Sequence, residues 1–534
     1  MNLPQSTTIA QLMKEQAIRF GANEALVAGP SRLTYQELHD QVLQTARGLY
    51  GVGVRKGDHV AILMGNRVEW VLTFLAVQQL GAVSVGLNTW ASPREMAYAL
   101  EHSEAKYLIA VDQFRKNNYQ KMIQEMRATS EHLKALDHEI WIPANEFSPI
   151  DGLDMTKGQM TWQNMLSSGE RIDMLRIEQA GEAVQAQDIG MLLYTSGSTA
   201  APKGILLQHG PWISNGFHIG ERQKVTPSDR LWLAVSLFWS FGCVNALPNL
   251  LTHGGCVVLQ EHFDPQEALS LIEREHCTLF YGTPNMARAM HDHPNRSKHD
   301  LSCLRSGATI GTPEQIQLVA DLGAHQICNI YGLSETYGNC AVIDADEPLS
   351  IRLQSVGQPL PGVTVRICNW ESGAEIETGQ VGEIRLKGPL FVSYFKEPGK
   401  TQEVFDEHGF FKTGDLGSMD EKGRLYYRGR LKEMIKSGGI NIAPAEVEET
   451  LMRHPSVRTA YVIGVPHATL DEELVAMVIA NADMSPQPEQ LRQHCMKELA
   501  AYKVPQRFHM ITEADLPLTT TGKVQKMNLH QLLN

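Results

Sequence analysis

Tyr194 to Gly204 reads YTSGSTAAPKG. Thr195, Ser196, Ser198 and Thr199 supply four hydroxyl side chains around Gly197, and Lys203 follows close behind. Such a stretch can hold an anion: glycine lets the backbone turn so that successive N–H groups point inward, hydroxyls add donors and lysine adds charge. A polyphosphate is the natural guest. A Walker-type loop is excluded, because the glycine nearest Lys203 follows it and Pro202 precedes it. A solvated Ser/Thr/Gly linker has the same composition, so composition alone leaves both readings open.

The rest of the chain must position that loop. At 534 residues it exceeds the ~250–300 at which a single core stops growing, so at least two domains are expected. With 43% hydrophobic and 20% charged residues it has the composition of an ordinary globular protein. A net charge of −13, from 47 basic and 60 acidic residues, argues against a nucleic-acid surface, which needs a basic footprint. Eight widely spaced cysteines without a CxxC pair predict reduced thiols in a cytoplasmic protein and argue against metal binding. The N-terminus MNLPQSTTIAQLMKEQ has neither a basic nor an apolar signal region. The most apolar window, LWLAVSLFWSFGCVNALPNLL, is broken by Ser, Asn, Gly and Pro and is expected to be core or pocket wall rather than a membrane span. The histidines of HDHPNRSKHD (291–300) lack the spacing of a zinc site and are expected at the surface.

The order of elements predicts an α/β fold. HVAILMGN (59–66), EWVLTFLAVQQLG (69–81) and AVSVGLN (82–88) form a strand, helix, strand crossover. Further strand-like runs lie at 107–111, 189–194, 256–260, 279–284 and 327–332. Loops at the C-terminal ends of such strands build ligand sites. From about Pro361, GVTVRI, GEIRLKG and GRLYYRGR predict a smaller β-rich subdomain. The helices PAEVEETLMRH and PEQLRQHCMKELAAY, with strands near TAYVIGVP and ELVAMVIA, then predict a small α+β domain. The domains expected are 1–430 and a mobile 431–534.

YTSGSTAAPKG, YGLSET (331–336), TGDLG (413–417), GRLKEMIKSGGINIAPAEVE (429–448) and PLTTTGK (517–523) occur in the order of one family's signature motifs. The chain resembles the adenylate-forming acyl-CoA synthetase superfamily, which includes fatty acyl-, benzoate- and 4-coumarate-CoA ligases. The resemblance begins at LTYQELHDQV (33–42) and spans nearly the whole chain. Ala200 departs from it, standing where the family usually has glycine.

The resemblance implies an ATP-dependent acid–thiol ligase that joins a carboxylate to the α-phosphate of ATP, releases pyrophosphate and passes the acyl group to coenzyme A. Mg²⁺ is the implied metal, with Glu335 as its ligand. Thr195, Ser196, Gly197, Ser198, Thr199 and Lys203 match the triphosphate grip, and Tyr331 matches the ring that stacks on adenine. Gly307, Ala308 and Thr309 match the segment along the adenine and acyl group, and Gly332, Ser334 and Thr336 complete the YGLSET match. Asp415 matches the acid that takes both ribose hydroxyls, a task suited to two acceptor oxygens, and Arg430 a second ribose or phosphate contact. Lys523 matches the catalytic lysine between carboxylate and α-phosphate, where developing charge gives a cation leverage. Lys432 matches the hinge about which the small domain turns between half-reactions. Lys436, Ser437, Gly438 and Gly439 match the segment that admits the thiol.

By the same matching, His209, Phe238, Trp239, Gly242, Leu333 and Tyr337 are the acyl-pocket candidates. Trp239 stands where the family often has histidine, and its bulk favours a medium-chain, aryl or alicyclic acid, as in fatty or aromatic acid metabolism. No aspartate lies in 234–242, which argues against an amino-acid substrate. The alternatives are an enzyme that loads a separate acyl carrier protein and an inactive nucleotide-binding regulator. The implied partners are thus a small carboxylic acid, ATP and CoA, with a homodimer left open.

Overall fold

The computed structural model describes every residue except 130–132, 134, 145–149, 151, 196–201, 438–439, 468, 483, 519–523 and 534. It separates into two compact units, Met1–Val363 with Gly388–Glu403, and Thr364–Lys387 with Val404–Asn534. The boundary expected at 430/431 lies inside the second unit.

The N-terminal unit is built on two mostly parallel sheets. One has the strand order Lys203–Gln208, Ile189–Thr195, Val83–Gly86, His59–Leu63, Tyr107–Val111, His138–Ile142 and Gln159–Thr161. All its neighbours are parallel except the first pair. The second runs Ala341–Val342, Cys328–Tyr331, Ser306–Thr309, Leu279–Tyr281, Arg230–Leu233, Cys256–Leu259, Glu24–Ala28 and Ser31–Thr34. Only its two edge pairs are antiparallel. Parallel strands have both faces covered and read as continuous apolar runs, which is why Tyr107–Val111 is buried at all five positions.

Helices fill the crossovers. Val68–Gln79 is buried from Trp70 through Gln79, the expected fate of a helix that is apolar all round. Tyr35–Gly51 starts on Thr34, whose hydroxyl accepts the Glu37 N–H while the Glu37 carboxylate takes the Thr34 N–H. That reciprocal cap gives LTYQELHDQV its helix. A core of Trp232, Phe280, Val258, Ile272, Met290 and Val319 lies beneath the second sheet, where burying each large apolar side chain contributes roughly 1.5–3 kcal/mol.

The C-terminal unit holds an antiparallel sheet in the order Thr364–Cys368, Gly382–Lys387, Phe411–Met419 and Leu425–Arg430. A second sheet orders Ile440–Ile442, Ile435–Ser437, Asp471–Ala480 and Val457–His467, with Arg507–Met510 paired to Asp471–Ala480. The helices Pro444–Met452 and Pro488–Glu498 cover it through Val447, Leu451, Leu491 and Cys495. All eight cysteines are free thiols. Among the described residues no helix is long and apolar enough to cross a membrane.

Candidate active site

Two strands hold the ends of YTSGSTAAPKG: Ile189–Thr195 pairs antiparallel with Lys203–Gln208, Thr195 opposite Lys203. Ser196, Gly197, Ser198, Thr199 and Ala200 lie outside the described residues, as does the Thr195 side chain. The Lys203 ammonium stands 4.6 Å from the centroid of the Tyr394 ring, a distance at which the negative face of the ring attracts a cation. The Tyr394 hydroxyl donates to Oε1 of Glu335 at 2.9 Å.

Glu335 sits on the short turn Ser334–Thr336 that follows strand Cys328–Tyr331. Thr336 Oγ1 accepts the Leu333 N–H at 2.9 Å, and Gly338 N–H reaches the Leu333 carbonyl at 3.1 Å. Gly332 allows the chain to fold back this tightly, since a Cβ there would lie 2.3 Å from the Gly338 carbonyl oxygen. The segment Phe391–Phe395 grips the same turn from outside. Phe391 N–H donates to the Glu335 carbonyl at 2.8 Å, and Val392 and Phe395 N–H groups bond Leu206 and Gly204 of the neighbouring strand. Burial first, and then the Glu335 charge, push the Tyr394 phenol well above its usual range. It therefore remains a donor to Glu335 at every physiological pH.

Glu335 is only 9% exposed, and no group of three or more His, Cys, Asp or Glu suited to a metal occurs among the described residues. A lone carboxylate does not make an all-protein cage. It does fit Mg²⁺, which takes one or two carboxylates and fills its octahedron with phosphate oxygens and water.

Gly307, Ala308 and Thr309 lie on buried strand Ser306–Thr309. Gly307 has φ +126°, and a Cβ would come 2.0 Å from the Phe280 carbonyl oxygen, so only glycine fits. Tyr331 ends the adjacent strand with 3% exposure, so stacking on a base requires a face of its ring to be uncovered.

Phe238 and Trp239 join Trp90 in an aromatic group, with ring centroids 5.0–5.6 Å apart and interplanar angles of 70–82°. Edge-to-face contacts of this kind fix ring positions. The chain then enters a π-helical turn, Ser240–Ala246, containing Gly242. Ser334 Oγ donates to Ser240 Oγ at 3.0 Å, so the turn bearing Leu333 and Glu335 is tied directly to the aromatic wall.

The other two pocket candidates are His209 and Tyr337. Tyr337 is fully buried, and its hydroxyl accepts the Gln208 N–H at 2.8 Å. His209 is fully buried at the start of helix His209–Gln223. Its Nδ1 accepts the Ile9 N–H at 3.4 Å, and its ring lies against Gly190. Phe238 packs on Gly86, which pairs with Leu193. Gly190 is three residues back along that strand, about 10 Å at ~3.3 Å per residue. Both side chains have the surroundings of core packing.

In the C-terminal unit, Asp415 and Arg430 face each other across adjacent strands, with Arg430 Nε 3.5 Å from Asp415 Oδ1. Asp415 is buried and Arg430 exposed. Lys432 is exposed on the turn Leu431–Glu433. Lys436 N–H donates to Glu472 Oε2 at 2.8 Å, and Ser437 pairs with Asp471. Gly438, Gly439 and Lys523 lie outside the described residues.

Sequence reasoning missed Tyr394 and Trp90. The aromatic cluster in GPLFVSYFK (388–396) was the available signal for the first.

Comparisons with known proteins identify the family and the fold. A family model described as "AMP-binding enzyme" matches residues 13–395, and one described as "AMP-binding enzyme C-terminal domain" matches 446–523. The acyl-CoA ligase sidI of Aspergillus fumigatus is 31% identical, over 98% of this chain and 91% of its own. The mitochondrial medium-chain acyl-CoA ligase ACSF2 of Bos taurus is 29% identical, over 98% and 87%. The crystal structure of the anthranilate CoA ligase AuaEII in complex with anthranoyl-AMP superimposes with a TM-score of 0.84 at 26% identity, covering 99% and 98% of the two chains.

Proposed function

Since the chain belongs to the AMP-binding enzyme family, as an AMP-forming acid–thiol ligase, we propose that it makes the CoA thioester of a medium-chain, aryl or alicyclic acid in two steps. A carboxylate oxygen first attacks the α-phosphorus of ATP, and the bond to pyrophosphate breaks. The CoA sulfur then attacks the acyl carbon, and AMP leaves with the electron pair.

The observation that carries this reading is the chain from Lys203 through the Tyr394 ring and hydroxyl to Glu335. It sets a cation beside the proposed phosphate loop and links it, through one tyrosine, to a buried carboxylate. The first step brings two anions together, so such donors stabilise charge where it develops. Mg²⁺, held by Glu335 and the phosphates, would screen the same oxygens. Thr195, Ser196, Gly197, Ser198, Thr199 and Lys203 are the proposed phosphate grip. Gly307, Ala308, Thr309, Tyr331, Gly332, Ser334 and Thr336 are the proposed adenine side.

Asp415 and Arg430 are the proposed ribose contacts, and Lys523 the proposed catalytic cation. Lys432 is the proposed hinge, and Lys436, Ser437, Gly438 and Gly439 the proposed thiol side. Phe238, Trp239, Gly242 and Leu333, now with Trp90, are the proposed acyl wall. Three large rings in edge-to-face contact favour a compact apolar acid over a long chain. Eight free thiols suit a reducing compartment such as the cytoplasm.

The test is mass-spectrometric detection of thioester after incubation with ATP, Mg²⁺, CoA and a panel of hexanoic, octanoic, benzoic, cyclohexanoic and palmitic acids. CoA thioesters of the compact acids are expected. Acyl-AMP without thioester would indicate a carrier-protein thiol in place of CoA, and palmitate as the best substrate would contradict the acid class.

A further inference from the structure

Lys526 follows the proposed catalytic Lys523 by three residues. Its ammonium lies 2.7 Å from Oε1 and 2.9 Å from Oε2 of Glu448, on helix Pro444–Met452. It also lies 3.6 Å from Oε2 of Glu433, the residue after Lys432. Glu448 is 8% exposed, and its Oε1 also accepts the Val462 N–H at 2.7 Å. Burial pulls the Lys526 pKa down, but Glu448 and Glu433 more than offset that and raise it above the usual lysine value.

The chain on both sides of Lys526 is anchored as well. Leu518 and Val524 form an antiparallel bridge, and Gln525 N–H donates to the Pro517 carbonyl at 2.8 Å, closing the stem of the segment that contains Lys523. Beyond it, Leu529 is buried among Ile463, Val475 and Met477. An apolar residue at 526 would leave the buried Glu448 carboxylate without this cation. A partly buried ion pair loses hydration and gains a defined orientation, and a registry role is the best-attested use of such pairs.

We propose that Lys526 is a positioning residue for adenylation: its ion pair with Glu448, backed by Glu433, pins the stem of the Lys523 segment to helix Pro444–Met452. This rests on Lys523 acting in the first half-reaction. A displacement of about 1 Å at a catalytic group costs on the order of 100-fold in rate, so a stem that shifts should be felt there first.

The experiment uses the full chain and compares Lys526→Met, Lys526→Arg, Glu448→Gln and Lys523→Ala. Acid-dependent ATP–pyrophosphate exchange reads the first step, and thioester formation from supplied acyl-adenylate and CoA reads the second. Lys526→Met is expected to slow exchange about 10- to 100-fold while the second step stays within about threefold, and Lys526→Arg to recover most of the exchange. Should Lys526→Met fail to fold, Glu448→Gln, which keeps the side-chain shape, is expected to give the same split. Equal loss in both steps, or full exchange activity in Lys526→Met and Glu448→Gln, overturns the positioning role. Unchanged exchange in Lys523→Ala would overturn the role of Lys523 itself, and the positioning role with it.

Discussion

The Tyr394 hydroxyl donates to Oε1 of Glu335 across 2.9 Å, while the same ring carries the Lys203 ammonium on its face. One side chain thereby couples the lysine beside the proposed phosphate loop to the carboxylate proposed for the metal. Its hydroxyl helps to hold the carboxylate in one orientation before any ligand arrives.

Removing only the hydroxyl should therefore slow adenylation. A hydrogen bond to a charged group contributes about 1.5–3 kcal/mol, so Tyr394→Phe should lower kcat for acid-dependent pyrophosphate release about 10- to 100-fold. Tyr394→Leu, which also removes the ring from Lys203, should fall further. Wild-type kinetics in Tyr394→Phe would remove Tyr394 from the site.

Trp239 should limit the length of the acid. Trp239→Ala is expected to raise kcat/KM for dodecanoate relative to benzoate by about tenfold or more, the scale on which hydrophobic pockets discriminate. A length profile identical to wild type would place the indole outside the pocket.

Lys432→Pro fixes φ at the proposed hinge. Pyrophosphate exchange should survive better than thioester formation from supplied acyl-adenylate, by about tenfold. Equal loss in both half-reactions would argue against a hinge at this position.

Burial pushes the His209 imidazole down to about 4, with Asp188 raising it and Lys56 lowering it by smaller amounts. Between pH 6.5 and 4 the unfolded chain binds a proton here that the folded chain does not. The stability held above pH 6.5 is therefore lost progressively as pH falls through that window, by on the order of 3 kcal/mol at its acid end. In calorimetry from pH 7.5 to 4.5, His209→Gln should flatten the decline in the unfolding midpoint. A decline as steep as in the wild type would show that other groups set it.

The parallel strands were legible because doubly buried strands must be short apolar runs: AVSVGLN contains Val83–Gly86, and ICNIYG contains Cys328–Tyr331. The π-helical turn Ser240–Ala246 was not, since an apolar stretch that is buried all round has no period from which to read its winding. Tyr394 was hidden because its partner Glu335 lies 59 positions away, and no local pattern announces a pair closed by tertiary folding. Its segment also explains the division of the chain. Gly388–Glu403 joins the N-terminal unit because Val392 and Phe395 bond to strand Lys203–Gln208, although the strands that flank it pair with each other in the C-terminal unit. The full burial of His209 and Tyr337 was not legible either, because burial at the start of a helix and beyond a tight turn is set by tertiary packing.

The most direct test is ATP–pyrophosphate exchange with Mg²⁺ and a compact acid, in the absence of CoA. Exchange that requires the acid and collapses in both Glu335→Gln and Lys523→Ala is the predicted result, because only a reversible acyl-adenylate returns pyrophosphate to ATP. Exchange without any acid, or acid-dependent release of ADP and phosphate, would contradict adenylation as the first step.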